Sequence, residues 1–118
     1  MKKHLAIALS VVCLFLMSFT IASGWYANTT ETLYNSDYDM TLTLYSNGYV
    51  TLKASDGSST GGRYEIDSND WITLNWDRYD ADKGFVNTVQ TTTGKRIKSV
   101  VADGKTFTNT QRFVVPRR

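Results

Sequence analysis

Two odd-length turns constrain this chain more than any other feature, because each one fixes how its flanking strands pair. Apolar and polar residues alternate on both sides of Ser46–Gly48. A three-residue turn there pairs Leu44 with Val50. The next core-facing pair is then Leu42 with Leu52. A two-residue Asn-Gly turn would slip the register by one residue and put apolar side chains on both faces, so the longer turn is predicted, with its glycine in the left-handed conformation.

The same argument applies to the turn at Ser68–Asp70. A three-residue loop there pairs Ile66 with Ile72. It also pairs Tyr64 with Leu74. The two hairpins together predict one row of core-facing side chains: Met40, Leu42, Leu44, Val50, Leu52, Tyr64, Ile66, Ile72, Leu74 and Trp76.

Alternation with period two recurs beyond these hairpins, and no window has apolar residues at helical spacing. We therefore predict an all-β domain, a single small antiparallel meander of about eight strands that closes as a barrel or a sandwich. Ile97 and Val101 are expected on one side of their strand. The other expected strands are Thr29–Tyr34, Phe85–Thr91, Lys95–Ala102, Lys105–Thr110 after a tight Asp103-Gly104 hairpin, and a final Phe113–Val115. The expected long surface loops are Ser55–Gly62 and Asp77–Gly84.

The N-terminal segment has the layout of a secretory signal. Lys2 and Lys3 precede an almost wholly apolar stretch, Leu5–Ser23, which ends in small residues. We predict a signal peptide over residues 1–23 and one domain over residues 24–118, secreted or periplasmic in a bacterial style. Because the apolar stretch is nearly long enough to span a bilayer, an uncleaved N-terminal membrane anchor is the alternative, and membrane contact is expected only in that case.

The residues left after the predicted leader exclude most catalytic chemistry. The single histidine and the single cysteine, His4 and Cys13, both lie in the leader. Nucleophilic catalysis at neutral pH usually needs such a group, so we predict a non-enzymatic protein with no cofactor. A hydrolase that uses only carboxylates, with Glu65 and Glu31 as its two glutamates, is an alternative.

A charged loop offers a candidate metal site. Asp77, Asp80 and Asp82 have the oxygen density of a calcium loop, but their spacing differs from that of an EF-hand. A solvated turn in which the aspartates bond to their own backbone explains the same residues. No metal is therefore predicted.

Three consecutive segments have an order of strands and turns that resembles that of one protein family. Leu-Tyr-Ser-Asn-Gly-Tyr-Val-Thr-Leu (Leu44–Leu52), Gly-Arg-Tyr-Glu-Ile (Gly62–Ile66) and Trp-Ile-Thr-Leu-Asn-Trp (Trp71–Trp76) follow one another along the chain. This succession resembles small secreted bacterial lipocalin-like proteins of the calycin type. The Gly-x-Trp near the start of full lipocalins is matched only in part, by Gly24-Trp25. The resemblance implies a meander topology and transfers no binding residues.

The aromatic residues opposite the aliphatic rows are the candidate binding site. Such a face recognises sugars and proteins, because rings give contact area and hydroxyls direct hydrogen bonds. The function predicted is an exported binding domain for a protein or a glycan. The alternatives are a lipocalin-like carrier with a small apolar ligand inside the barrel, and a second buried core. The candidate residues are Trp71, Tyr45, Tyr49, Thr43, Thr51 and Thr73.

Charge is divided unevenly along the domain. Gly24–Gly94 has ten acidic and four basic residues, whereas Lys95–Arg118 has one acidic and seven basic residues. The sum is near zero, so no nucleic-acid partner is expected. The basic part either holds an anionic partner or protects a sheet edge from aggregation.

Overall fold

A computed structural model describes residues 24–116 as an antiparallel meander of eight strands that closes into a barrel. The strands are β1 (Glu31–Asn35), β2 (Met40–Leu44), β3 (Tyr49–Lys53), β4 (Ser59–Ile66), β5 (Trp71–Trp76), β6 (Asp82–Thr91), β7 (Gly94–Ala102) and β8 (Lys105–Asn109). Each strand pairs with the next, and β8 pairs back to β1. The all-β prediction is confirmed, and the meander closes as a barrel. Residues 1–23, with the predicted signal peptide, lie outside the described residues, as do residues 117–118.

The β2–β3 hairpin has the predicted register. Leu44 pairs with Val50, and Leu42 pairs with Leu52. Gly48 closes the turn with a φ of 92°, in the left-handed region that only glycine enters without strain. The alternation of side chains therefore decided this turn, as expected.

The β4–β5 hairpin also has the predicted register. Ile66 pairs with Ile72, and Tyr64 pairs with Leu74. In this turn Asp70, with a φ of 67°, takes the left-handed position that Gly48 fills in the other. A short aspartate side chain tolerates that conformation better than most residues do.

The barrel interior holds apolar side chains from all eight strands. Seven of the ten predicted core residues are fully buried, and Met40, Leu52 and Trp76 pack against them while partly exposed. The hydrophobic effect of this burial is the main stabilising contribution, since residues 24–116 contain no cysteine for a disulfide. The later part of the chain and its N-terminal segment contribute Ala27, Leu33, Val86, Ile97, Val100, Ala102 and Phe107 to the same core.

The predicted face of β7 is wrong because the strand contains a bulge. Ile97 pairs with Thr88, and Ser99 pairs with the neighbouring residue of β6, Asn87. Lys98 therefore has no partner on β6 and is an extra residue. The extra residue reverses the alternation beyond it. Val100, rather than Val101, therefore joins Ile97 in the core. The tight turn at Asp103-Gly104 has the predicted form, with φ values of 53° and 69°.

Three expected boundaries are also wrong. β4 begins at Ser59 and β6 at Asp82, so both expected loops are shorter than predicted. Gly62 and Gly84, which suggested loops, lie within strands, where a Cβ atom would collide with the backbone of the neighbouring strand. Phe113–Val115 forms no strand. Within the described range, no helix is long and apolar enough to cross a membrane.

The strand connections alternate between the two ends of the barrel. At one end, here called the open end, lie the loops after β1, β3, β5 and β7. The other end, the closed end, is covered by the segment before β1. The Ala27 N–H donates to the Tyr64 hydroxyl at 2.9 Å, and that hydroxyl donates to the Tyr45 carbonyl at 2.7 Å. Trp25 pairs its backbone with Ile66 beside them. This segment therefore completes the barrel at the closed end.

Candidate functional site

The six predicted site residues lie on the outer surface of the barrel. Trp71 is 56% exposed, Tyr49 is 53% exposed and Tyr45 is 37% exposed. The three threonines between them are half-buried: Thr43, Thr51 and Thr73. The aromatic rings are therefore available to a partner and form no part of the barrel core.

The structure divides these residues into two groups. Thr43 and Thr51 are cross-strand partners on β2 and β3, with Tyr45 and Tyr49 beyond them at the turn. Strand spacing and rise put the Cα atoms of Tyr49 and Trp71 roughly 16 Å apart. Closure of the barrel also turns β5 away from β2 and β3, so the single flat face that the sequence suggested becomes two convex patches.

Trp71 lies over a cleft at the closed end, here called the Trp71 cleft. Its lining residues are Gly24, Glu65, Asp67, Trp71 and Thr73, and its volume is about 170 Å³. On the next strand, the Phe85 ring meets the indole edge-on, with centroids 5.9 Å apart and an interplanar angle of 76°. Phe85 itself is 40% exposed, so the two rings form one aromatic surface beside the cleft.

The backbone beneath Trp71 is held in place by hydrogen bonds. The Asp67 carboxylate accepts the Trp71 N–H at 3.0 Å. The Asp67 carbonyl accepts the indole N–H of Trp25 at 3.2 Å, and the Asp70 carbonyl accepts the Val86 N–H at 2.9 Å. The turn is thus fixed to β6 and to the N-terminal segment. Trp71 is an exposed ring on a firmly positioned backbone.

A row of polar side chains crosses the outer surface next to the cleft. Thr73 has Glu65 as its Cα partner on one side and Lys83 on the other. Among residues 24–116, Glu65 and Lys83 take part in no ion pair. The row therefore offers a carboxylate, a hydroxyl and an ammonium group beside an aromatic surface.

Glu31 occupies a very different environment from Glu65. It is 1% exposed, and its carboxylate accepts two hydrogen bonds from Arg96, at 2.8 and 2.9 Å. The Ile97 N–H and the Asn109 side chain donate two more, at 3.0 and 2.9 Å. Glu65 points outward from β4. The two glutamates therefore lie on opposite sides of the sheet and share no cleft.

The hydrogen bonds of Glu31 control its protonation. Burial raises the pKa of its carboxyl, but the donated hydrogen bonds and the charge of Arg96 outweigh burial, so the pKa lies below its ordinary value of 4.5. The carboxylate is therefore charged and paired at neutral pH. Its chemistry is that of a structural ion pair linking β1, β7 and β8.

The acidic loop after β5 shows no metal-binding geometry. The Asp82 carboxylate accepts the indole N–H of Trp76 at 2.9 Å, which joins the two ends of that loop. In the part of the chain that the structure describes, no three Asp, Glu, His or Cys side chains come together as a possible metal site.

A second concave feature lies inside the open end. A cavity of about 80 Å³ is bounded by the apolar side chains of Met40, Leu52, Trp76 and Phe107, with Asp82 at its edge. Binding pockets for small molecules usually have volumes of ~300–1,000 Å³. This cavity therefore has room for a small apolar group and not for a whole ligand of that class.

Sequence reasoning missed two parts of these sites. Phe85 was not paired with Trp71, because a loop of uncertain length between β5 and β6 hides their register. The sequence pattern predicts that Met40, Leu52 and Trp76 belong to the core, but not that they lie at its open end. The signal was present, since each is the core-facing residue nearest the same end of its strand. No protein-family model, curated protein or solved structure matches this chain.

Proposed function

We propose that this protein is a non-enzymatic binding domain, exported by its predicted leader, which recognises a protein or a glycan through the Trp71 cleft. The observation that carries the proposal is the exposed indole of Trp71 on a backbone fixed by hydrogen bonds. Exposed aromatic anchors supply much of the energy at binding surfaces. An anchor that is already ordered loses less conformational entropy when a partner binds.

The chemistry of the cleft favours a glycan over a protein. An indole ring can stack against the apolar face of a sugar ring. Glu65 and Thr73 line the cleft, and Lys83 is the Cα partner of Thr73 on the next strand. All three side chains can exchange hydrogen bonds with sugar hydroxyls. A small cleft with one aromatic wall and a few polar groups is suited to one or two sugar units.

Two further observations support this choice over an enzyme. The buried Glu31 lies on the other side of the sheet from the exposed Glu65. The second carboxylate in the cleft, that of Asp67, already accepts the backbone N–H groups of Asn69 and Trp71. A glycosidase needs two carboxyl groups that face each other across the substrate. We therefore propose binding without hydrolysis.

The lipocalin-like relationship is likewise proposed. It is supported by the closed eight-stranded meander, which is compatible with such a fold. A carrier function is the second candidate, and the cavity at the open end favours it. Because that cavity is small, a carried ligand would place only a small apolar group inside and leave the rest in solvent.

The test is binding of Trp71→Ala to an array of immobilised oligosaccharides, with the unchanged protein alongside. Loss of an aromatic anchor worth about 2 kcal/mol weakens binding roughly thirtyfold. Thermal stability is expected to change little, because the Trp71 ring is mostly exposed. Tyr79→Ala is the matched control, since Tyr79 is 67% exposed on a loop at the open end.

Retention of glycan binding by Trp71→Ala would contradict the proposed site. If the unchanged protein binds no glycan, a glycan is excluded as the partner, and a protein partner for the same surface remains. A pull-down with Trp71→Ala and Tyr79→Ala then compares the two variants for that partner.

A further inference from the structure

We infer that the C-terminal segment and the strands beneath it form a second interaction surface, which binds anionic phospholipid membranes. The segment concerned is Thr110–Pro116, here called the C-terminal strap. This surface is distinct from the Trp71 cleft and does not depend on the proposed function. It also does not require the leader. The sequence alone predicted membrane contact only through an uncleaved leader.

The strap is fastened to the barrel at several points. The Thr110 N–H donates to the Thr32 carbonyl at 3.0 Å, and the Val114 carbonyl accepts the Thr92 N–H at 3.1 Å. Between them, the Arg96 guanidinium donates to the Gln111 side chain at 2.7 Å. The same guanidinium lies over the Phe113 ring, 4.8 Å from its centroid. The path of the strap across the barrel is therefore defined.

This fastened segment presents aliphatic side chains to solvent. Val114 is 69% exposed and Val115 is 55% exposed. Next to them a groove of about 360 Å³ separates the strap from the outer surface of the sheet, with Val89 and Phe113 among its walls. Neighbouring exposed apolar residues beside an apolar groove indicate an interaction surface.

Two cations at the strap take part in no ion pair among the described residues. No Asp or Glu occurs from Phe85 to Ala102 or from Lys105 to Arg118. Lys98 lines the groove and Arg112 lies within the strap, and neither takes part in an ion pair among residues 24–116. Arg117 and Arg118 follow in the sequence. The other cations of this region already have acidic partners: Lys95 with Asp70, Arg96 with Glu31, and Lys105 with Asp103.

The combination of exposed valines and unpaired cations favours a lipid surface as the occupant. Cations next to an anionic bilayer gain electrostatic energy from its surface potential. Aliphatic side chains gain energy only where they enter an apolar phase, which a soluble polyanion does not provide. The interface of an anionic membrane makes use of both features, because its headgroups attract the cations and its apolar phase takes up the valine side chains.

The test is co-sedimentation of the protein with vesicles of phosphatidylglycerol and phosphatidylcholine, or of phosphatidylcholine alone. Mass spectrometry checks that every variant has the same N-terminus as the unchanged protein. Only variants with the same thermal stability as the unchanged protein are compared. We expect binding to the anionic vesicles only, weakening as salt is raised. Neutralising two membrane-facing cations with Lys98→Gln and Arg112→Gln weakens binding roughly thirtyfold.

Two further variants separate this surface from general charge. Arg78→Gln with Lys53→Gln, two exposed residues, removes the same charge elsewhere on the barrel and leaves vesicle binding within about twofold of the unchanged protein. Val114→Ser with Val115→Ser weakens vesicle binding at least fivefold, because two apolar contacts are lost. Equal binding to neutral vesicles, or equal loss in the Arg78 and Lys53 variant, would overturn the inference. So would valine variants that bind anionic vesicles normally, since the surface would then hold any polyanion.

Discussion

At the scale of single residues, this barrel places two polar networks inside and the proposed aromatic anchor outside. Glu31 and Tyr64 are buried, and each has hydrogen-bond partners distant in the sequence. Trp71 stands exposed above a turn that is tied to other elements. Alternation predicted the side of the sheet for Tyr64 and Trp71. It could not predict the Glu31–Arg96 pair, whose members are separated by most of the domain and have no local signal in common.

We expect Glu31→Gln to destabilise the protein by about 3 kcal/mol at neutral pH. The substitution keeps the size of the side chain but leaves Arg96 without its charged partner, and breaking a buried pair from one side is costly. Chemical denaturation measures the change. The control is Glu65→Gln, an exposed glutamate, for which a change within ~0.5 kcal/mol is expected.

The same residue gives the stability of the protein a pH dependence. The pKa of Glu31 is lower in the folded protein than its ordinary value of 4.5, so the unfolded chain takes up a proton first as the pH falls. The stabilisation is present above that value and is lost as the pH falls below it. Denaturation at a series of acidic pH values should therefore show a smaller decline for Glu31→Gln. An unchanged decline would mean that other carboxylates cause the acid sensitivity.

Tyr64 gives the opposite dependence at alkaline pH. Burial raises the pKa of its hydroxyl from 10.0 to about 12. The folded protein then holds a proton that the unfolded chain has released, so stability falls as the pH rises through this interval. We expect Tyr64→Phe to lower stability by ~1–3 kcal/mol at neutral pH, because the Ala27 N–H loses its acceptor. Its alkaline decline should be shallower, and a decline as steep as that of the unchanged protein would contradict this assignment.

At the scale of elements, the registers of the two hairpins could be predicted from the sequence, whereas those of the later strands could not. Turn length and alternation together determined the β2–β3 and β4–β5 registers, because each slip would have exposed an entire aliphatic row. In β7 the bulge at Lys98 broke the alternation, and nothing in the sequence around it marks an extra residue. Glycines within β4 and β6 suggested loops, although they are needed there for close approach of neighbouring strands.

The turn at Gly48 can be tested against a matched glycine. We expect Gly57→Ala, at a φ of 90° and in open space, to cost about 1 kcal/mol through backbone strain alone. Gly48→Ala has a similar φ of 92°, but its new Cβ would also lie 3.2 Å from the Tyr26 ring. It should therefore cost more than Gly57→Ala in chemical denaturation. Equal costs would show that Tyr26 moves aside freely.

At the scale of the whole molecule, closure of the barrel decides which surfaces are available. Pairing of β8 with β1 encloses one face of the meander completely, so the aromatic face that alternation identified becomes convex and is divided. The interior is lined by buried apolar side chains, with a small cavity at the open end. The local registers were predictable because they depend on neighbouring segments. Closure, the covering of one end by Trp25–Ala27 and the position of the strap depend on contacts between distant segments, which the sequence pattern does not contain.

The three indole N–H groups allow one direct comparison of the proposed site with its alternative. The indole N–H of Trp25 donates to the Asp67 carbonyl, and that of Trp76 donates to the Asp82 carboxylate. Trp71 lines the proposed cleft. Nuclear magnetic resonance of ¹⁵N-labelled protein resolves the three signals, and Trp71→Phe identifies the one in the cleft. On addition of the oligosaccharide that binds most tightly to the array, the Trp71 signal should shift while the Trp76 signal stays in place. A shift of Trp76 with Trp71 unmoved would contradict the outer site and place the ligand at the open end of the barrel.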